Sequence, residues 1–276
     1  MTIVDAETRS ARAKVIKVVV IAALVVLIVV LTVIWAGRQI APAPAAVDRA
    51  TDTGESSRAA AADPTVRGWD TVAEQVLATA PMRQFPAEVS LPQTLAPGGL
   101  PPIPVPSAAR VNAAGVGEGF PPTPEGAIGQ LAALDVVALA DLHPATYNAA
   151  YRSIALIGAP DPAATPLGAQ VSKIYNRVVV QGSNPAPIAS RWQLAGAQVK
   201  GITNGGRSVV VCVAGELQAV QANSGVTGTG DCQSLRWTGS DWRIAPGPAA
   251  APAPITWPGS AAFHRAGYHP STGGPQ

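Results

Sequence analysis

The sequence predicts an α+β fold of about three helices followed by an antiparallel sheet, placed after an N-terminal transmembrane helix. Between residues 123 and 178, apolar side chains recur at helical spacing behind cap-and-proline signals. From residue 191 to residue 244 the pattern changes to β-branched runs separated by Gly-rich turns. Helices first and strands afterwards is an order typical of domains in which helices pack on one face of an antiparallel sheet.

An apolar run at 18–36 predicts the transmembrane helix. It reads VVVIAALVVLIVVLTVIWA, with Thr32 as its one polar residue. A helix of this length spans roughly 28 Å, close to the hydrocarbon thickness of a bilayer. Four Lys and Arg residues precede the run, whereas Arg38 alone follows it closely. This asymmetry predicts a single-pass protein of the cell membrane, with a cytoplasmic tail at 1–17 and an extracytoplasmic C-terminus.

A cleavable signal peptide is the alternative to this anchor. Ala43-Pro44-Ala45 resembles a cleavage site. The apolar region of a signal peptide is usually about 7–15 residues, shorter than the run found here. Both alternatives place the remainder of the chain outside the cell.

Composition agrees with a membrane span and small-residue connectors around a modest core. Charged residues make up 13% of the 276 positions and hydrophobic residues 47%, with 27 Gly and 27 Pro. The formal net charge is +2, and the Lys and Arg residues are scattered along the chain. No basic face is visible, so we expect no direct binding of nucleic acid.

The composition divides the predicted extracytoplasmic part into four segments. A small, polar stretch at 37–62 predicts a disordered linker. Residues 63–120 combine an amphipathic helix, predicted at 64–80, with a Pro-rich extended segment. That helix either packs on the domain or docks a partner, and the Pro-rich segment either wraps the domain or acts as a spacer. The α+β domain is predicted at 121–245, and a Pro/Ala/Gly-rich tail at 246–276.

Two cysteines occur in the whole chain, Cys212 and Cys232. The strand pattern places them on neighbouring strands, so a disulfide in an oxidising compartment is the first interpretation. Two buried, unpaired thiols are the alternative. A metal site is not expected, because neither a histidine nor another cysteine accompanies them at ligand spacing.

The order of elements and several short segments resemble known membrane proteins. The segments are GFPPTPEGAIGQLAALD at 119–135, VKG at 199–201, VVVCVAGEL at 209–217, DCQSLRW at 231–237, DWRIAPGPAAAPAP from 241, then WPGS and AGY. Together they are similar to a group of actinobacterial membrane proteins associated with conjugative elements. The element order also resembles the cone-shaped fold of the nuclear transport factor family, which assembly subunits of type IV secretion machines carry behind a single span. The resemblance implies a cone-like domain with a curved sheet.

The resemblance to the conjugative-element proteins supplies no catalytic residues, whereas the resemblance to the cone-shaped fold singles out three residues. In enzymes of the cone fold, acids and tyrosines that face the cavity carry out acid–base chemistry. Asp135, Tyr147 and Tyr151 are the matching set here, and they could line a ligand cavity. The alternative is a solvated aspartate beside two core tyrosines.

Function is expected from protein contacts rather than catalysis. The sequence contains no Ser-nucleophile motif, phosphate-binding Gly loop or HExxH pattern, and no cofactor is implied. We therefore expect a non-enzymatic subunit of a conjugation or type IV secretion-like apparatus. Its partners would be the membrane, other envelope subunits and copies of itself. The rival interpretation is an anchored cone-fold module that binds a small ligand or cell-wall fragment outside the membrane.

Overall fold

The computed structural model describes residues 68–180, 188–220 and 224–275. The helices are α1 (Thr71–Thr79), α2 (Pro124–Ala138), α3 (Pro144–Ser153), α4 (Pro166–Tyr175) and α5 (Ala261–Arg265). The strands are β1 (Ile103–Val105), β2 (Arg110–Val111), β3 (Gly117–Glu118), β4 (Ala189–Thr203), β5 (Ser208–Val220), β6 (Ser224–Trp237), β7 (Trp242–Ile244) and β8 (His269–Gly273). The predicted cytoplasmic tail, transmembrane helix and linker at 1–62 lie outside the described residues. None of the described helices is long and apolar enough to span a membrane.

The α+β class is confirmed, but the sheet is mixed rather than antiparallel. Its six strands lie in the order β1-β8-β4-β5-β6-β7. Every neighbouring pair is antiparallel except β1 and β8, which run parallel. Strand β1 comes from the Pro-rich segment, and β8 comes from the predicted tail. Both are short and contain proline, so neither shows the alternation that reveals a strand in a sequence.

The three helices predicted after residue 120 are present as α2, α3 and α4, and their first turns explain where they begin. The Thr123 hydroxyl accepts a hydrogen bond from the Gly126 amide at 3.2 Å, and the Thr165 hydroxyl accepts one from Gly168 at 3.1 Å. Each cap precedes a proline at the first helical position, where no amide hydrogen is needed. These local signals place both helices without help from the rest of the fold.

Two layers cover the central strands. On one face, Val209, Val211 and Val213 of β5 belong to the main apolar core together with residues of α2, α3 and α4. On the other face, a smaller cluster joins strand residues to the C-terminal segment; its buried members are Cys212, Ala214, Cys232, Ala250, Ala253, Phe263 and Tyr268. Because successive side chains of a strand point to opposite faces, β5 is buried on both sides from Ser208 to Gly215.

The C-terminal and Pro-rich segments are parts of the fold. The Ala251 amide donates to the Ala78 carbonyl at 2.9 Å, and the Gln84 side-chain amide donates to the Pro252 carbonyl at 3.0 Å. A Cβ atom added at Gly228 would lie 2.0 Å from the Thr256 carbonyl oxygen, so the C-terminal segment passes directly over β6. The domain therefore extends beyond the predicted limits of 121–245, and the Pro-rich segment wraps the domain rather than acting as a spacer.

Helix α1 packs by a different face from the one its sequence suggests. It begins after Asp70, whose carboxylate accepts a hydrogen bond from Ala73, and residues 64–67 of the predicted helix lie outside the described residues. Val72 and Val76 are 70% and 65% exposed, whereas Glu74 is 3% exposed. The buried face holds an acid because Glu74 pairs with Arg236 of β6. Hydrophobic periodicity cannot predict a helix face that is buried through an ion pair.

Candidate functional site

The two cysteines form a disulfide between β5 and β6, as predicted. Cys212 and Cys232 occupy directly opposed positions, and their Cα atoms lie 4.1 Å apart. Both side chains are buried under the C-terminal segment. A structural disulfide is typical of proteins that fold in an oxidising compartment.

Loss of the disulfide is expected to lower stability. In the loop-entropy model, a bond closing a loop of this length contributes roughly 3 kcal/mol. Urea unfolding of the oxidised protein with and without reductant measures this difference in the free energy of unfolding. The double variant Cys212→Ala/Cys232→Ala is the control, because a reductant should not change its midpoint. Identical midpoints for oxidised and reduced wild-type protein would contradict the expectation.

The three residues singled out by resemblance are all buried. Asp135, near the C-terminal end of α2, is 1% exposed, and Tyr147 and Tyr151 of α3 are 1% and 0% exposed. The two tyrosine rings stack with centroids 6.0 Å apart, and the Tyr147 hydroxyl hydrogen-bonds to Thr165 Oγ1 at 2.8 Å. A solvated Asp135, the alternative considered from the sequence, is wrong. The tyrosines are core residues, as that alternative held.

A second buried acid, Asp231, joins them from the sheet. It is 2% exposed and lies opposite Val213 of the main core. Thr229, Asp231 and Gln233 alternate along β6 with Gly230 and Cys232, so their side chains point toward the helices while Cys232 points away. The sequence held a signal for this residue. Once Cys232 is assigned to one face of a buried strand, Asp231 must occupy the other face.

Burial dominates the electrostatics of this acid pair. Desolvation raises the pKa of Asp231 to about 7, although hydrogen bonds from the Gln233 side chain and the Cys232 amide oppose the shift. Desolvation, followed by the charge of Asp231, raises the pKa of Asp135 well above its ordinary value. Desolvation and the Asp231 charge also raise the pKa of Tyr147. We therefore expect the pair to hold at least one proton at neutral pH.

Three buried polar atoms of α2 and α3 have no hydrogen-bond partner among the described residues. They are Asp135 Oδ1, the Tyr151 hydroxyl and Gln130 Oε1. Asp231 is better satisfied, because the Gln233 side-chain amide donates to its two oxygens at 3.1 and 2.9 Å. An unpaired polar atom in a protein interior costs about 1–3 kcal/mol, so such atoms are uncommon where they have no role. We call the group formed by Asp135, Asp231, Tyr147 and Tyr151 the interior acid site.

A second pair of acids, in contrast, is paired with arginine side chains. Glu118 and Asp241, at one end of the sheet, are held by Arg110 and Arg243, with Arg243 Nη1 at 2.7 Å from Glu118 Oε1. Desolvation would raise the pKa of Asp241, but hydrogen bonds from Arg110 and Ser240, together with the charges of Arg110 and Arg243, outweigh it and lower that pKa. This cluster is charge-compensated, whereas no ion pair within 68–180, 188–220 and 224–275 involves Asp135 or Asp231.

The histidines are separate from both clusters. His143 caps α3, where its Nδ1 accepts a hydrogen bond from the Ala145 amide at 3.0 Å. His269 Nδ1 lies 2.7 Å from the Pro101 carbonyl oxygen. Over 68–180, 188–220 and 224–275, no group of three or more His, Cys, Asp or Glu side chains is placed to hold a metal ion.

Comparison with protein-family models, with curated proteins and with solved structures finds no match for this chain. The resemblance to conjugative-element membrane proteins and to the cone-shaped fold therefore stays a prediction. The interior acid site and the disulfide are the two features whose chemistry can be argued directly from the described residues.

Proposed function

We propose that this chain is a non-enzymatic, single-pass membrane subunit of a conjugation or type IV secretion-like apparatus. Its α+β domain, in this proposal a cone-like one, lies outside the membrane and acts by protein–protein contacts. The apolar run at 18–36 and its cationic flank support the anchor. The observation that carries the placement is the Cys212–Cys232 disulfide, because buried structural disulfides are rare in reducing compartments.

Helix α1 supplies a surface for such contacts. It follows the predicted linker, and the Glu74–Arg236 pair holds it on the sheet by the face opposite to Val72 and Val76. Exposed apolar side chains beside one another on a held helix are suited to a partner's apolar groove or to a second copy of this chain. Other envelope subunits are the partners expected in this proposal.

Charge on this face is expected to disrupt assembly without unfolding the domain. The double variant Val72→Glu/Val76→Glu should reduce both DNA transfer and recovery of partner subunits with the tagged full-length chain. Gln75→Glu is the matched control, because Gln75 is also exposed and lies between the two valines. A periplasm-active reporter enzyme fused to the C-terminus checks the topology. The proposal fails if deletion of the chain leaves transfer unchanged, or if the reporter is active only in the cytoplasm.

A module that binds a small ligand or cell-wall fragment is the second candidate. The observation that favours it is the interior acid site, where Asp135 Oδ1 and the Tyr151 hydroxyl are buried without partners. Ligand binding would supply the hydrogen bonds that the described residues do not. Saturable stabilisation of the protein by a ligand, lost in Asp135→Asn, is the measurement that tests it.

A further inference from the structure

Helix α4 presents one stripe of side chains to two neighbouring surface grooves. The helix continues beyond Tyr175 as a π-helical turn, Asn176–Val180. Three side chains that recur every fourth residue line both grooves, and they are Ala169, Lys173 and Arg177. Residues four apart lie on one face of a helix, so this stripe forms the ridge between the two grooves. All three of its residues are exposed.

The two grooves differ in polarity. The first has a volume of about 600 Å³, and its other lining residues are Gln170, Ile174, Val178 and Ile255. Ile174 and Val178 also pack against the main core. The second has a volume of about 560 Å³, and it is lined, in addition to the ridge, by Ala163, Ser172 and Asn176. One flank of the ridge is therefore mostly apolar, whereas the other offers a hydroxyl and an amide.

The C-terminal segment forms the wall of the apolar groove that faces α4. Its contribution is Ile255, and the next residue, Thr256, is fully buried. The Thr256 carbonyl oxygen would lie 2.0 Å from a Cβ atom added at Gly228 of β6, so this part of the segment is packed tightly on the sheet. The groove lies between two elements of the fold, and its volume is in the range of small-molecule sites, roughly 300–1,000 Å³.

No carboxylate of the described chain neutralises the ridge. The ion pairs found there involve neither Lys173 nor Arg177. No acid is among the residues that line the two grooves, and the sequence at 181–187 contains none. Like charges one turn apart on a helix repel each other. An anion between them would remove this repulsion and accept charge-assisted hydrogen bonds from both side chains.

A phosphate matches the ridge better than a carboxylate does. A phosphate monoester carries a charge of about −1.5 to −2 at pH 7 and has three strong acceptor oxygens, enough for two cationic side chains at once. On the polar flank, Ser172 and Asn176 can donate further hydrogen bonds. On the other flank, the aliphatic side chains offer no hydrogen bond, so that groove suits an alkyl chain.

We propose that the ridge and its two grooves bind a single-chain amphiphile with a phosphate headgroup. The phosphate lies between Lys173 and Arg177, and the alkyl chain lies in the apolar groove. The ligand is a free amphiphile rather than a bilayer surface, because its chain is taken up by a concave groove of the protein. This inference goes beyond both candidate functions and depends on neither.

Thermal unfolding of the full-length chain in nanodiscs of zwitterionic phosphatidylcholine tests the proposal. The probe is octyl phosphate, kept below the concentration at which it forms micelles. We expect a saturable rise in Tm, since a ligand that binds only the folded state stabilises it. The rise should become smaller as NaCl is added, because the cations are exposed and are screened by salt. Octanol and inorganic phosphate each present one half of the ligand and should give much smaller shifts at the same concentration.

Two variants test the ridge. Lys173→Gln/Arg177→Gln should weaken the binding of octyl phosphate about tenfold or more, because two charge-assisted contacts are lost. Ala169→Glu should abolish the rise, because it places an acid beside the phosphate; Ala169 is exposed, so the fold is expected to tolerate the change. Arg191→Gln is the matched control, since it removes an exposed arginine that lines neither groove.

Three results would overturn the amphiphile site. The first is equal affinity for octyl phosphate in wild-type protein and in the folded double variant, and the second is an equal rise in Tm with octanol. The third is a rise in nanodiscs that contain phosphatidylglycerol without any response to octyl phosphate, which would assign the cations to a bilayer surface. The far-UV circular dichroism of each variant, compared with wild type, establishes that it is folded.

Discussion

Replacement of Glu74 by glutamine is expected to lower the free energy of unfolding by about 3–5 kcal/mol, because it leaves Arg236 buried without its counter-charge. The two side chains are 4% and 9% exposed, and Arg236 Nε donates to both Glu74 oxygens at 3.0 and 3.1 Å. The Trp69 ring covers the guanidinium from 4.4 Å, which excludes water that could replace the lost acid. Urea unfolding at neutral pH measures the change.

Breaking an exposed ion pair is the comparison that shows how much of the stability loss in Glu74→Gln is due to burial. Arg152 and Asp161 form a pair at 3.5 Å in which both side chains are more than 60% exposed. Asp161→Asn should therefore change stability by no more than about 1 kcal/mol. The double variant Glu74→Leu/Arg236→Met should recover much of the stability lost in Glu74→Gln, since it leaves no charge buried. Equal effects of Glu74→Gln and Asp161→Asn would contradict this account.

Replacement of Asp231 by asparagine is expected to stabilise the protein above neutral pH. In the unfolded chain this carboxyl ionises near pH 3.8, whereas in the folded protein its pKa is raised to about 7 by burial. Between these values the folded state holds a proton that the unfolded state has lost, so stability falls as pH rises from 4 to 7 and then levels. A shift of this size corresponds to roughly 4 kcal/mol at most, and we expect about 2–4 kcal/mol for the variant at pH 8.

The measurement is the difference between wild type and Asp231→Asn in urea unfolding at pH 4, 5.5, 7 and 8. The difference should be small at pH 4 and largest at pH 8, because the neutral carboxyl and the amide are similar in size and polarity. Asp241→Asn is the control, because this substitution is expected to lower stability where Asp231→Asn raises it. The pKa of Asp241 is lowered, so its ionised form contributes stability that is lost on acidification or on substitution. A constant difference between wild type and Asp231→Asn across this pH range would refute the buried-acid assignment.

Local signals explain why part of the fold could be predicted. The caps at Thr123 and Thr165, each followed by proline, act within four residues of the helix start, and the β-branched run around Val211 is equally local. The disulfide could be predicted because the chain has only two cysteines and both lie in strand-like sequence. By contrast, β1 and β8 are joined only by pairing between residues 103–105 and 271–273. No local pattern in either segment indicates that contact.

The sequence predicts the candidate site only in part, because burial of its residues depends on contacts that are distant in the chain. The resemblance to the cone-shaped fold indicates Asp135 and the two tyrosines, but a sequence does not show whether an acid faces solvent or a buried sheet. The sequence does not mark Asp231 as buried, because Thr229 and Gln233 on the same face of β6 are also polar, which resembles an exposed strand. Only the packing of the helices on one face and the C-terminal segment on the other buries that stretch on both sides.

The sequence by itself determined the starts of α2 and α4, the strand character of β5 and the pairing of the cysteines, because each depends on residues that are close in the chain or unique in it. Tertiary structure alone decided which face of α1 is buried, which segments complete the sheet, and that Asp135 and Asp231 are both buried. Those features depend on contacts between residues far apart in the chain, such as Glu74 with Arg236, whose charges compensate each other only after folding brings them together.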